Sequence, residues 1–147
     1  MIKTRKATIG DLMEFYQNAR AVDLKEVEVA TGLMFGEQPL SLLHGTQALI
    51  IEPSGEVLGI AGMDFFGSKE AAIWLLMTNA VERHKMEFLR WSKRYLEEHI
   101  FKRGIKVYNE VYAKNARHVT WLNWLGAEWV HEDDTRMTFI LRKRKEE

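Results

Sequence analysis

From Ala71 to Met77 the chain is apolar without a break (Ala-Ala-Ile-Trp-Leu-Leu-Met), and a charged segment with helical periodicity begins near Arg83. The run is far shorter than the roughly 20 residues that span a bilayer. It also lacks the polar alternation of a strand with one wet face. It therefore predicts a central strand, Ala71 to Thr78, buried on both faces. A strand of that kind needs helices over the sheet, because strands that run parallel are joined through a crossover, usually helical.

The flanking patterns supply those helices. Lys3 to Thr8 reads as a short opening strand. Thr8 then caps a helix whose Leu12, Phe15, Tyr16 and Ala19 share one face, with Asp11 at the third helical position. Asp23 to Gly32, with Leu24 and Val27 at helical spacing, predicts a second helix. Gln38 to Leu43 predicts a short one after Phe35-Gly36. Ala48 to Glu52 and Val57 to Met63 form a hairpin about the turn Pro53-Ser54-Gly55-Glu56. A long helix is predicted from Arg83 to Lys102, with Met86, Leu89, Leu96 and Ile100 on one side and Gly104 ending it. Strand Lys106 to Tyr112 follows, then a helix from Ala116 to Leu125 stopped by Gly126. Glu128 to His131 and Met137 to Leu141 pair around Glu132-Asp133-Asp134. The order β-α-α-β-β-β-α-β-α-β-β predicts an α/β fold, a mixed sheet with helices on both faces, in a single domain over residues 1–147.

Composition removes several classes of function. The chain has no cysteine, so disulfides, thiolate metal sites and a cysteine nucleophile are excluded. Its 21 basic residues balance 21 acidic ones, so no global field draws it to nucleic acid or to a membrane. No apolar stretch follows Met1-Ile2-Lys3-Thr4-Arg5-Lys6, and no signal peptide is expected. His131-Glu132-Asp133-Asp134 reads as a solvated hairpin turn, since hard-cation loops space their carboxylates; no metal is expected. Trp121 and Trp124 read as core and rim packing, because basic residues that would track a nucleic-acid backbone do not interleave with them in sequence.

The element order and two local stretches resemble the GNAT N-acetyltransferase family. One is Arg5-Lys6-Ala7-Thr8-Ile9-Gly10-Asp11-Leu12, similar to the family's first strand and capped helix. The other is Asn115 with Trp121-Leu122 and Leu125-Gly126-Ala127, similar to its last helix. A narrower resemblance covers Ile73 to Thr78, His84 to Tyr95, and Tyr108 to Tyr112 through Leu125-Gly126. It is to small GNAT-like proteins of tailed phages, among them internal virion proteins of short-tailed coliphages.

The resemblance implies acetyl-CoA as cofactor, with its pyrophosphate at the start of the long helix, where amides are unpaired and the dipole favours an anion. Leu76, Met77 and Thr78 would offer backbone groups to the pantetheine arm. Arg83, His84 and Lys85 would meet the pyrophosphate, and Asn115 would anchor the far side. The family's glycines are missing from Arg83-His84-Lys85-Met86-Glu87-Phe88, and Leu122 stands where many members carry the tyrosine that protonates the departing thiolate. Tyr112 and His118 lie near it in sequence. Asp64, Glu82 and His84 are the candidate general bases. Two functions follow: an acetyl-CoA-dependent N-acetyltransferase acting on an amine of a host protein or small molecule, or a non-catalytic phage protein that keeps the fold as an assembly or host-binding module. Either would work in the host cytoplasm, or in the virion. Nucleic-acid binding through the basic helix is a third and less expected function.

Overall fold

The computed structural model describes residues 1–25 and 46–143. Its strands are β1 (Ile2–Lys6), β2 (Thr46–Ile51), β3 (Glu56–Phe65), β4 (Glu70–Met77), β5 (Lys106–Tyr112), β6 (Glu128–Glu132) and β7 (Arg136–Leu141). They form one mixed sheet in the order β1-β2-β3-β4-β5-β7-β6. The β1–β2, β2–β3, β5–β7 and β6–β7 pairs are antiparallel and β4–β5 is parallel. The helices are α1 (Ile9–Asn18), α2 (Lys85–Tyr95) and α3 (Ala116–Leu125), and they flank the sheet. Residues 21–25 are also helical. The remainder of the helix expected over Asp23 to Gly32 and the one over Gln38 to Leu43 lie outside the described residues.

The contacts gather into two compact units, residues 1–63 with 74–88, and residues 64–73 with 89–147. In the first, α1 lies on the sheet through Leu12 and the fully buried Phe15, against Ala48, Ile50, Val57 and Ile60. Thr8 caps α1 by a reciprocal box: its Oγ1 accepts from the Asp11 amide at 3.1 Å and its own amide donates to Asp11 Oδ2 at 3.0 Å. Arg5 Nη2 adds a bond to Asp11 Oδ1 at 2.7 Å. Burial pushes the Asp11 carboxyl up, but the bonds from Arg5 and Thr8 outweigh it and hold it below the ordinary value. A carboxyl depressed in the folded state stabilises above its unfolded pKa of about 3.9, and that stability is lost as pH falls through the folded value. Asp11→Asn is therefore expected to cost about 1 kcal/mol at pH 7 and progressively less as pH falls through the folded value, as read from urea midpoints at a series of pH values.

β2 and β3 close together with a register shift between Leu49 and Ile50, Leu49 facing Gly59 and Ile50 facing Val57. Gly59 allows a close approach to β4. A Cβ there would lie 2.6 Å from the Leu76 carbonyl oxygen and 2.8 Å from Met77 Sδ. Because one obstacle is main chain, Gly59→Ala is expected to destabilise by about 1–3 kcal/mol, measured by chemical unfolding.

In the second unit, β5 alternates as a half-buried strand, with Val107 and Val111 inward. Val107 faces Leu141 and Asn109 faces Phe139 in the β5–β7 ladder. Trp121 Nε1 on α3 donates to Ser92 Oγ on α2 at 3.1 Å. Gly126 ends α3 at φ +94° and Gly104 ends the preceding helical stretch at φ +71°, both in the left-handed region that favours glycine.

Three expectations need correction. The long helix is not α-helical throughout, although helical residues run unbroken from Lys85 to Arg103. A 3₁₀ turn (Asn79–Arg83) precedes α2, and a π-turn (Leu96–Ile100) and a 3₁₀ turn (Phe101–Arg103) follow it. Ser92, Leu96 and Ile100 are buried at steps of four. Each such step drifts by about 40° on a regular α-helix, and the wider π-turn brings Ile100 back to the buried side. Met86 is not on that side: it is 61% exposed, and Phe88 is buried instead. β4 is also less buried than its composition suggests. Ala71 and Met77 are enclosed, but Ala72 to Leu76 are half-buried. An apolar run cannot distinguish full cover from partial cover. Only the register shows that Trp74 and Leu76 pack beside the α1 core cluster, while the β4–β5 ladder covers Glu70 to Ala72.

Candidate functional site

The first unit gathers most of the candidate residues where β4 passes into α2. Thr78 ends the strand and is fully buried. Its amide donates to the Leu58 carbonyl at 2.9 Å, and its hydroxyl lies within reach of the Val57 and Leu58 carbonyls at 2.9 and 3.1 Å. The same oxygen accepts from the Ala80 amide at 3.2 Å, which starts the 3₁₀ turn. His84 then opens α2, its carbonyl accepting from the Phe88 amide at 2.9 Å. The amides of Lys85, Met86 and Glu87 occupy the first turn, where no intrahelical partner exists.

Arg83, His84 and Lys85 do converge on this helix start, but each faces a carboxylate. Arg83 pairs with Glu56, and Lys85 Nζ lies 3.2 Å from Glu82 Oε2. His84 sits between Glu56 and Glu87, at 3.9 and 3.7 Å. Glu87 also receives the Met1 amine at 2.6 Å. That bond, with the smaller influence of His84, holds the Glu87 carboxyl below its ordinary value against the opposing effect of burial. The site is thus rich in cations but locally neutralised. A phosphate would find the first-turn amides directly, and would find Arg83 and Lys85 only by displacing Glu56 and Glu82. The donor set fits a phosphate at the helix start on that condition.

One turn back along the chain, the end of β4 is held from its other edge. Successive residues of a strand turn their N–H and C=O to opposite edges. Thr78 uses the β3 edge, so Met77 uses the other. The Met77 amide donates to Asp23 Oδ2 at 2.5 Å, and the Arg20 amide donates to the Met77 carbonyl at 3.2 Å. Asp23 Oδ1 takes Arg20 Nη2 at 2.8 Å, in an ion pair whose side chains are 8% and 0% exposed. Arg20 Nε is buried with no partner among the described residues. Leu76 is half-buried against the α1 cluster, and Glu82 is exposed.

The other candidates belong to the second unit. Asp64 is exposed near the end of β3. Asn115 is fully buried and caps α3, its Oδ1 accepting from the His118 amide at 3.4 Å. Leu122 is 3% exposed, His118 is buried beside Trp121, and Tyr112 is half-buried on β5. At the β6–β7 turn, Asp133 Oδ1 accepts from the Thr135 and Arg136 amides, both at 2.7 Å. These amides hold the Asp133 carboxyl below its ordinary value. Among the described residues no group of three or more histidine or acidic side chains is placed to hold a metal.

Sequence reasoning did not find Arg20, Asp23 or Glu56. Arg20 and Asp23 are three apart at the end of an amphipathic stretch, a spacing that marks a shared helix side but not its neighbour on β4. Glu56 precedes Arg83 by 27 residues, and only the hairpin brings it to the helix start.

No protein-family model and no curated protein sequence matches the chain. Solved structures do match in fold. A GNAT-family acetyltransferase from Streptococcus agalactiae is similar over 98% of this chain and 96% of its own, with 15% identity and a TM-score of 0.68. The PaiA N-acetyltransferase from Thermoplasma acidophilum, solved in complex with coenzyme A, is similar over 97% and 99%, with 14% identity and a TM-score of 0.62. The ribosomal-protein-S18-alanine N-acetyltransferase from Escherichia coli is similar over 96% and 93%, with 18% identity and a TM-score of 0.60. At these identities the likeness is one of fold, and the fold of this chain is that of the GNAT acetyltransferases.

Proposed function

We propose that the chain is an acetyl-CoA-dependent N-acetyltransferase with a weakened cofactor site, encoded by a tailed phage and acting on an amine in the host cytoplasm. One observation carries this reading: the first-turn amides of α2 lie with Arg83, His84 and Lys85 at a single helix start. Such a start favours a pyrophosphate through unpaired amides, helix dipole and charge-assisted bonds. Acetyl-CoA bound there would supply the acetyl group, with coenzyme A departing as the thiolate. His84, half-buried between two carboxylates, is positioned to hold or release a proton at its imidazole nitrogens, and Glu82 is the second candidate base. Asn115 keeps α3 in place by capping it, whatever further contact it makes.

A second reading, a non-catalytic assembly, host-binding or virion module that retains the fold, is favoured by Met77. Its amide and carbonyl, which the resemblance assigns to the pantetheine arm, are both engaged by Asp23 and Arg20. Calorimetric titration with acetyl-CoA separates the readings. Under the first, Arg83→Ala and Lys85→Ala each weaken binding by about 1.5–3 kcal/mol, the affinity falls as salt rises, and Glu56→Gln strengthens it by releasing Arg83. Binding that is absent, or unchanged in the double alanine variant, removes the anion site.

A further inference from the structure

The cations further along α2 differ from those at its start. Arg90 and Arg94, four residues apart on the helix, are exposed and form no ion pair among the described residues. Lys93 is exposed beside them, and its Nζ lies 5.7 Å from the centre of the Trp124 ring on α3, itself 50% exposed. On the other flank of the arginines, Trp91 and Tyr95 stack with ring centres 5.2 Å apart and 29° between planes, and both are half-buried. At 100° per residue, Arg90 and Arg94 fall on the arc between Lys93 and the Trp91–Tyr95 row. Ser92 and Leu96, both buried, take the opposite arc. Glu97 and Glu98 bound the strip toward the π-turn. Folding thus supplies what the linear spacing of Trp121 and Trp124 lacks: basic side chains interleaved with aromatic rings.

We infer that this face of α2 and α3 binds single-stranded nucleic acid without sequence preference. Arg90, Lys93 and Arg94 meet successive phosphates, and Trp124 and the Trp91–Tyr95 pair offer ring surface to unstacked bases. Unpaired cations alone attract any polyanion. Aromatic surface on both flanks selects a strand whose bases are free to stack, which a duplex does not offer. The inference uses none of the residues assigned to acetyl-CoA and stands or falls apart from that reading.

The test is fluorescence anisotropy of a labelled 20-nucleotide oligothymidylate with the full chain, against heparin, a duplex of equal length and phosphatidylserine vesicles. Three phosphate contacts predict affinity roughly 10- to 20-fold weaker at 200 mM salt than at 50 mM. The Arg90→Glu/Arg94→Glu variant should lose at least about tenfold in affinity for both oligonucleotide and heparin. Trp124→Ala should lose about fivefold or more for the oligonucleotide and leave heparin unchanged. All three residues are exposed, so circular dichroism should show the variants folded, and Lys93→Glu serves if Trp124→Ala does not fold. No binding at 50 mM salt overturns the inference, as does binding indifferent to the charge reversal. Equal affinity for heparin and oligonucleotide, both insensitive to Trp124→Ala, reduces the face to a polyanion patch, and preference for the vesicles reassigns it to a membrane surface.

Discussion

Arg20→Ala is expected to remove about 3–5 kcal/mol of folding stability. The Arg20 and Asp23 side chains are 8% and 0% exposed and meet at 2.8 Å, so truncating the arginine leaves a negative charge enclosed without the cation that faces it. Surface pairs of the same geometry, such as Arg142 with Glu128 at 2.8 Å, contribute about 0–1 kcal/mol because water screens and replaces them. Domains of this size are stable by about 5–15 kcal/mol, so the variant should sit near the edge of folding at 37 °C. The double variant Arg20→Met/Asp23→Asn separates charge from packing. It removes both charges while leaving a side-chain carbonyl oxygen to accept from the Met77 amide, and it should recover most of the loss. Urea unfolding with an unchanged slope measures both, and a loss below about 1 kcal/mol for Arg20→Ala would show that solvent reaches Asp23.

The same pair shows how far the sequence could be read. Elements that depend on neighbours in the chain were legible. The box of Thr8 and Asp11, the glycine stops at Gly104 and Gly126, and strand Lys106–Tyr112 all lie where local rules put them. The mixed sheet was legible because an apolar strand followed by an amphipathic helix has few ways to bury both. What depends on register was not. The π-turn arises from buried positions four apart, which periodicity reads simply as helix. The cations at Arg83, His84 and Lys85 were visible, but the carboxylate of Glu56 that faces two of them comes from the far side of a hairpin turn. Asp23 bonding to Met77 spans 54 residues, and no local pattern announces it. Similarly, Lys93 and Trp124 become partners only when α2 and α3 pack.

Acetyl transfer by the wild-type chain to generic amines is expected to be slow, about 10²–10⁴ below ordinary turnover, and Leu122→Tyr is not expected to restore it. A departing thiolate needs a proton, and loss of one positioned acid costs about that factor. Leu122 is 3% exposed on α3, so a tyrosine there must fit a ring and a hydroxyl into a packed interior. Such overpacking typically costs about 1–3 kcal/mol, and a buried phenol needs its own hydrogen-bond partner. The substitution should therefore appear first as a lower melting temperature. Two candidate acids near Leu122 in sequence lie in the same unit, Tyr112, half-buried on β5, and His118, buried on the first turn of α3. Met77 bears on the rate as well, because a ligand drawing on its amide must compete with Asp23 Oδ2 at 2.5 Å. Transfer and acetyl-CoA hydrolysis should be measured for wild type, Leu122→Tyr, Tyr112→Phe and Asn115→Ala. Wild-type turnover at the ordinary rate of roughly 1–10³ per second would refute the weakened site, and a selective loss in Tyr112→Phe would then identify the acid. Background rates in all four, with no heat of acetyl-CoA binding, would leave the non-catalytic module. Slow wild-type transfer that Asn115→Ala abolishes along with the melting transition would mark Asn115 as the cap of α3 and not as a cofactor ligand.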